Sequence, residues 1–245
     1  MRMGVRFPLS SCLILLCALE LVAAVADKQV PGKFYIVGMG SAPDLVTLRA
    51  IEVIKQSDVV IVENEHEKEL WGNYIKDKEV WFCPHMFRVL YGIDPAAIKN
   101  PQVRRKAEYC NQLRHQLIGK IRAALEKGKI VASLQGGDPM MFGLTLFLEM
   151  LPADTPSEIV PGVGAFQAAS AAVKMSPPYG YDTSAVILTM ADWPGRIDTN
   201  EKLMATGSSM IFYTMLLDYP TVFSQLQRHY AAETPVAVII DAGDR

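Results

Sequence analysis

The chain has 245 residues, half of them hydrophobic and a fifth charged, with a formal net charge of -2. This is the composition of an ordinary globular protein, and the charge balance supplies no basic face for nucleic acid, so no nucleic-acid partner is expected. Four histidines without paired ligand spacing predict no metal site.

The first segment stands apart from the rest. Arg2 and Arg6 precede Phe7 to Ala26, a run that is apolar apart from Ser10, Ser11 and Glu20 and closes on Ala24-Val25-Ala26 before Asp27-Lys28. Basic start, apolar middle and small-x-small end are the parts of a secretory signal peptide. About 20 apolar residues also suffice for a membrane anchor. Residues 1–26 are therefore expected to engage the secretion machinery or the membrane, and the chain to be exported or membrane-anchored. Only Cys83 and Cys110 lie beyond that segment, which allows one disulfide at most in an oxidising compartment.

From there strands and helices alternate. Phe34 to Val37 is a β-rich run ending at Gly38, and Leu45 to Gln56 carries Leu45, Leu48, Ile51, Val53 and Ile54 at helical spacing. Asp58 to Val62 predicts a second strand. Leu113, Leu117, Ile121 and Leu125 share one face of a helix expected over 103–127, with Gly128 as its C-terminal glycine. Lys129 to Leu134 and Glu158 to Val160 predict further strands, the latter followed by a helix over 166–173. Continuous apolar strands between helices predict a parallel sheet covered on both faces, with ligands bound where loops leave the strands' carboxyl ends.

Ser-Pro-Pro-Tyr-Gly-Tyr-Asp, within Met175 to Thr183, reads as an interdomain linker. After it, strands are expected over 185–189, 210–213 and 236–240, with a helix over 219–230. The domains expected are 27–178 and 182–245, both α/β, the second smaller and reading as truncated at Arg245.

Three glycine-bearing loops carry the chemistry. Gly38-Met39-Gly40 turns from strand to helix, and Glu63 follows Gly40 by 23 residues, where a dinucleotide fold places its ribose-binding acid. Pro43 stands at the third glycine of that fingerprint, which weakens a dinucleotide-dependent oxidoreductase. Gly136-Gly137-Asp138-Pro139 offers bare backbone, a carboxylate acceptor and a stiff exit, or equally a plain turn. Pro161-Gly162-Val163-Gly164-Ala165 opens the alanine-rich helix and allows either close packing or a ligand at the helix start.

In order and spacing these loops resemble the tetrapyrrole (uroporphyrinogen-III and precorrin) methylases. The matching residues are Gly38-Met39-Gly40 with Leu45-Val46-Thr47-Leu48, then Gly136 to Pro139 with Phe142-Gly143, then Val160-Pro161-Gly162-Val163. Met210 to Tyr213 and Thr234 to Val238 are similar to that family's second-domain strands. The resemblance covers Lys33 to Arg245. It implies a two-domain α/β fold, a homodimer, and S-adenosylmethionine in the cleft between a mostly parallel N-terminal sheet and a smaller C-terminal domain.

By the same resemblance the cofactor's neighbours are Gly136, Gly137, Asp138, Met141, Gly164, Ala165, Tyr213, Thr214, Ala237 and Ala242. Gly38, Gly40, Ser41, His85 and Arg88 would face the substrate, a tetrapyrrole or corrinoid-type small molecule. Glu63 aligns with an acidic residue and is the candidate base for a carbon acceptor that must lose a proton. Three positions depart from the family pattern: Ser41-Ala42-Pro43 is shortened, Gly164 replaces a hydroxyl residue, and Pro84 falls where uroporphyrinogen enzymes use lysine. Arg88, Arg104 and Arg105 are the cations available for substrate carboxylates, unless they are simply solvated. An exported ligand-binding protein without turnover is the alternative, since S-adenosylmethionine is a cytoplasmic metabolite.

Overall fold

A computed structural model describes residues 32–143, 145–177, 184–193, 195–213 and 217–243. The expected export segment and residues 178–183 of the expected linker lie outside them. The first domain runs β1 (Lys33–Gly38), α1 (Leu48–Gln56), β2 (Val59–Val62), α2 (Glu65–Leu70), α3 (Gly72–Ile75), β3 (Glu79–Phe82), α4 (Pro101–Leu125), β4 (Ile130–Gln135), α5 (Leu146–Met150), β5 (Ser157–Val160) and α6 (Ala165–Ala172). The smaller second domain holds β6 (Val186–Met190), α7 (Asn200–Met204), β7 (Ser209–Tyr213) and α8 (Tyr219–His229).

The first sheet has the order β3-β2-β4-β1-β5, and every pairing is parallel. Its inner strands β1, β2 and β4 are mainly apolar because both their faces are covered. Phe34, Ile36, Val59, Ile61 and Val131 pack against Leu117, Ile118 and Ile121 of α4 and Phe147 of α5. The alternate residues Tyr35, Val37, Val60, Val62 and Leu134 pack against Ala50, Val53 and Ile54 of α1, with Trp71 and Ile75. The period-two alternation of a strand splits one apolar run between two cores.

Helix starts are set by capping side chains. Thr47 accepts from the Ala50 amide at 3.1 Å, and Asn100 accepts from the amides of Gln102 and Val103 ahead of Pro101. Gly128, at φ +76°, closes the turn after α4. Buried within α4, Arg114 donates to the carbonyls of Phe87 and Val89 at 2.7 and 3.0 Å, and to Asn111. It thereby holds the 84–91 turn against the helix. Cys83 and Cys110 are both buried and free, so they form no disulfide.

The second sheet is the parallel pair β6-β7. Arg196, whose side chain is almost buried, donates to the Met190 carbonyl at 3.1 Å and the Thr189 hydroxyl at 3.0 Å and pairs with Asp192 and Asp198. That network fixes the chain where β6 ends. Residues 236–240, expected as a strand, join no sheet; Val236, Val238 and Ile240 are 59, 62 and 80 % exposed. An apolar β-rich run forms a strand only where a neighbour supplies the ladder, and among the described residues none does. Among the described residues, no helix is long and apolar enough to cross a membrane.

The three glycine loops meet because β1 lies between β4 and β5. Gly40 and Gly137 exchange backbone hydrogen bonds of 3.2 and 2.7 Å. A Cβ on Gly162 would lie 2.1 Å from the Gly137 carbonyl oxygen. Gly162→Ala is therefore expected to destabilise the fold by about 1–3 kcal/mol, the usual cost of overpacking. Urea unfolding measures this; an unchanged midpoint would show that the loops can separate freely.

Candidate functional site

A cavity of about 300 Å³ opens at the carboxyl ends of β2, β3 and β4 and is closed on its far side by the second domain. Ligand pockets start at about this size. One wall is glycine backbone and helix start: Gly136, Gly137, Asp138, Gly164 and Ala165. Gly137 has φ +75°, a conformation that leaves its backbone bare toward Gly164 and Ala165. At Gly136 nothing lies within 4 Å of where a Cβ would be, so any side chain there would enter open space. Asp138 accepts from the Met140 amide at 3.0 Å, which anchors its carboxylate at the turn. Gly164 begins α6 and supplies no capping side chain, and the Phe166 amide of the first turn is hydrogen-bonded to Tyr213 at the cavity.

The second domain contributes Met190 and Tyr213, the last residues of β6 and β7. Tyr213 lies edge-on to Phe142 with ring centroids 5.0 Å apart, so one aromatic contact joins the domains across the cavity. Burial pushes the Tyr213 phenol above its ordinary value, and the nearby Asp138 charge adds to the effect against a backbone hydrogen bond at Phe166.

The opposite wall is ionic. Arg88 Nη2 donates to Glu63 Oε2 at 3.3 Å, and His85 Nδ1 lies 3.7 Å from Glu63 Oε1. Glu67 Oε2 accepts from the Glu63 amide at 2.7 Å, while the Glu67 amide donates to Asn64. Asn64 and Glu67 thus form a capping-box arrangement at the start of α2, shifted by one residue toward the strand. Burial pushes the Glu67 carboxyl up from its ordinary value; the Glu63 amide and Arg88 oppose this, and the Glu63 charge adds to it. Cys83 beside them is pushed up to about 12 by burial, so its thiol stays neutral. Ser133, in the middle of β4, completes the floor.

Of the residues expected from sequence, Gly136, Gly137, Asp138, Met141, Gly164, Ala165, Tyr213, Glu63 and Arg88 all line this one cavity. His85 stands beside it through Glu63. Gly38, Gly40 and Ser41 do not line it; they lie behind the glycine wall. Gly40 is paired to Gly137, and a Cβ on Gly38 would meet Gly162 N at 2.5 Å. Ala237 is exposed on the unpaired segment, and neither it nor Ala242 lines the cavity. Thr214 lies outside the described residues. Arg104 turns back onto the Ile98 carbonyl and Arg105 onto that of Pro101, and neither lines the cavity. Sequence reasoning missed Glu67, Cys83, Ser133 and Met190. The Asn64-x-x-Glu67 spacing was a readable signal, as was a lone serine inside the apolar run of β4; Cys83 and Met190 carried none.

The fold and its cleft define a two-domain α/β class with a parallel first sheet. Residues 33–245 match the family described as Tetrapyrrole (Corrin/Porphyrin) Methylases, and the chain belongs to that family. It is similar to siroheme synthases of Pseudomonas entomophila (strain L48), 29% identical over 221 residues, and Pseudomonas fluorescens (strain Pf0-1), 30% identical over 214 residues. These alignments cover 87% and 85% of this chain but 43% and 42% of the relatives, so the chain spans less than half their length. In fold it resembles a cobalt precorrin-4 methyltransferase of cobalamin biosynthesis, with a TM-score of 0.56, 22% identity and 80% and 73% of the two chains covered. The methyltransferase CobJ gives 0.53, 18%, 82% and 77%.

The raised Glu67 carboxyl has a direct consequence for stability. Its folded value lies above the ordinary unfolded one, so its contribution is greatest in acid and is lost as pH rises through the folded value. Glu67→Gln keeps an acceptor for the Glu63 amide. It is expected to melt above the wild type near pH ~8 and level with it near pH ~4. Paired thermal melts check this; a lower melting point at the higher pH would mean that the Glu67 charge stabilises the fold.

Proposed function

We propose that this chain is an S-adenosylmethionine-dependent methyltransferase acting on a tetrapyrrole or corrinoid-type acceptor. The observation that carries the reading is the single cavity in which Gly136, Gly137, Asp138, Gly164 and Ala165 face Tyr213 and Met190 of the second domain, in a chain of the methylase family. The residues present fit the cofactor. Bare glycine backbone admits close approach, and Asp138 and the Tyr213 hydroxyl accept from hydroxyl or ammonium groups.

When bound, S-adenosylmethionine supplies a methyl group that is already activated, so the protein's contribution is alignment and removal of a proton. Glu63 at the end of β2 is the candidate proton acceptor, and Arg88 and His85 orient its two oxygens. A binding protein without turnover is the second reading. It is favoured by the same ion pair, because both Glu63 oxygens already face a side chain of the protein.

We further propose that residues 1–26 direct export or anchor the chain, and that the protein assembles as a homodimer. Intact-mass measurement of the native protein is expected to show loss of those residues; a retained segment in the membrane fraction would support the anchor instead.

Calorimetry with S-adenosylhomocysteine, S-adenosylmethionine and NAD tests the cofactor. The two sulfur nucleosides are expected to bind and NAD to fail. In Gly136→Val the added Cβ meets nothing within 4 Å and the side chain stands at the cavity wall, so cofactor affinity is expected to fall by about tenfold or more with the melting point unchanged. Binding of NAD alone, or unchanged affinity in the variant, would overturn the reading.

A further inference from the structure

The ionic end of the cavity has a chemistry of its own. Ser133 in β4 pairs in register with Ile61 of β2, and Cys83 lies one strand further, its amide donating to the Val62 carbonyl at 2.8 Å. Ser133 is 2% exposed, lines the cavity, and has no hydrogen-bond partner among the described residues. A buried hydroxyl that faces a cavity without a partner is costly unless a ligand or water completes it. Above it stand Glu63 and Glu67. Arg88 is the only lysine or arginine lining the cavity among the described residues, and its charge is shared with Glu63, 3.3 Å away. Arg104 and Arg105 are turned onto their own backbone.

A carboxylate brought to this end would therefore face two glutamates and meet no unpaired cation among the described lining residues. A group that donates hydrogen bonds and carries no negative charge would meet three acceptors: the two carboxylates and the serine oxygen. Accordingly, and resting on the methyltransferase reading above, we propose that the end of the cavity formed by Glu63, Glu67 and Ser133 is the acceptor subsite. It takes an acceptor whose edge there is an amide, an amine or a ring N–H, and rejects one fringed by carboxylates. The raised Glu67 carboxyl is consistent with a wall that gains from a donor or a cation.

The test uses the full chain, with and without S-adenosylhomocysteine, and two corrinoids built on the same ring. One has its peripheral carboxylates free; the other has them all converted to primary amides. Changes in ring absorbance report binding. The amide form is expected to bind about tenfold tighter or more. Glu67→Gln, which keeps the helix cap, is expected to narrow that preference by about threefold or more, by admitting the acid form. Ser133→Ala is expected to weaken the amide form alone and leave S-adenosylhomocysteine affinity unchanged. Equal or tighter binding of the acid form, no binding of the amide form, or a preference unmoved by Glu67→Gln would overturn the subsite. Failure of S-adenosylhomocysteine to bind the wild type is read separately and counts against the methyltransferase reading, since the corrinoid titration is also run without it.

Discussion

Backbone lies directly on backbone where Gly162 meets Gly137, and a Cβ at Gly162 would stand 2.1 Å from the Gly137 carbonyl oxygen. The contact follows from strand order. β1 sits between β4 and β5, so the loops leaving their carboxyl ends share one small space. Gly40 and Gly137 fill it from one side with paired hydrogen bonds, and Gly38 and Gly162 fill it from the other. With the backbones so close, the second loop is pushed outward in the left-handed conformation of Gly137. Gly136 is then left facing empty cavity. The glycine wall of the cavity is in this sense a by-product of a packing constraint, and the first loop supports it from behind.

The second domain depends on the same wall. Tyr213 reaches Phe142, a residue of the glycine loop's exit that itself holds φ +58°. Non-glycine residues seldom adopt that conformation, so the exit is held by its surroundings. Arg196 fixes the end of β6 from beneath, which places Met190 at the cavity edge. Two strand ends, one tied by an aromatic contact and the other by a buried guanidinium, thus close the cleft. The opposite wall is fixed from the first domain alone, where Arg114 secures the carbonyls on both sides of Arg88.

The legible part of this design was the part that uses strong local signals. β1, β2 and β4 read as apolar runs because both their faces are buried, and glycines marked the turns after β1, β4 and β5. β3 went unread: four residues, Glu79 to Phe82, at the sheet edge and partly exposed, give too short a pattern. The 236–240 run failed in the opposite direction, since its β-rich composition was plain but its neighbour strand was not a property of the segment. At the site, the glycine and alanine positions followed from motif order. The roles of Ser41, Arg104 and Arg105 did not, because a half-buried serine behind a loop and an arginine folded onto a carbonyl of a preceding residue look in sequence like solvated or ligand-facing residues.

Charge placement explains why family membership leaves the acceptor open. The glycine wall is built from backbone and would serve any member that binds the same cofactor. The ionic wall is built from side chains, and there Glu67 adds a second carboxylate to Glu63 while Arg88 serves the protein and not a ligand. A carboxylate acceptor would have to share Arg88 with Glu63 and stand beside Glu67 as well, three carboxylates to one cation. A neutral donor leaves the pair intact and satisfies Ser133 as well. One guanidinium, that of Arg88, therefore sets the charge balance at this end of the cavity. Its position is set in turn by Arg114, a residue that never touches the cavity.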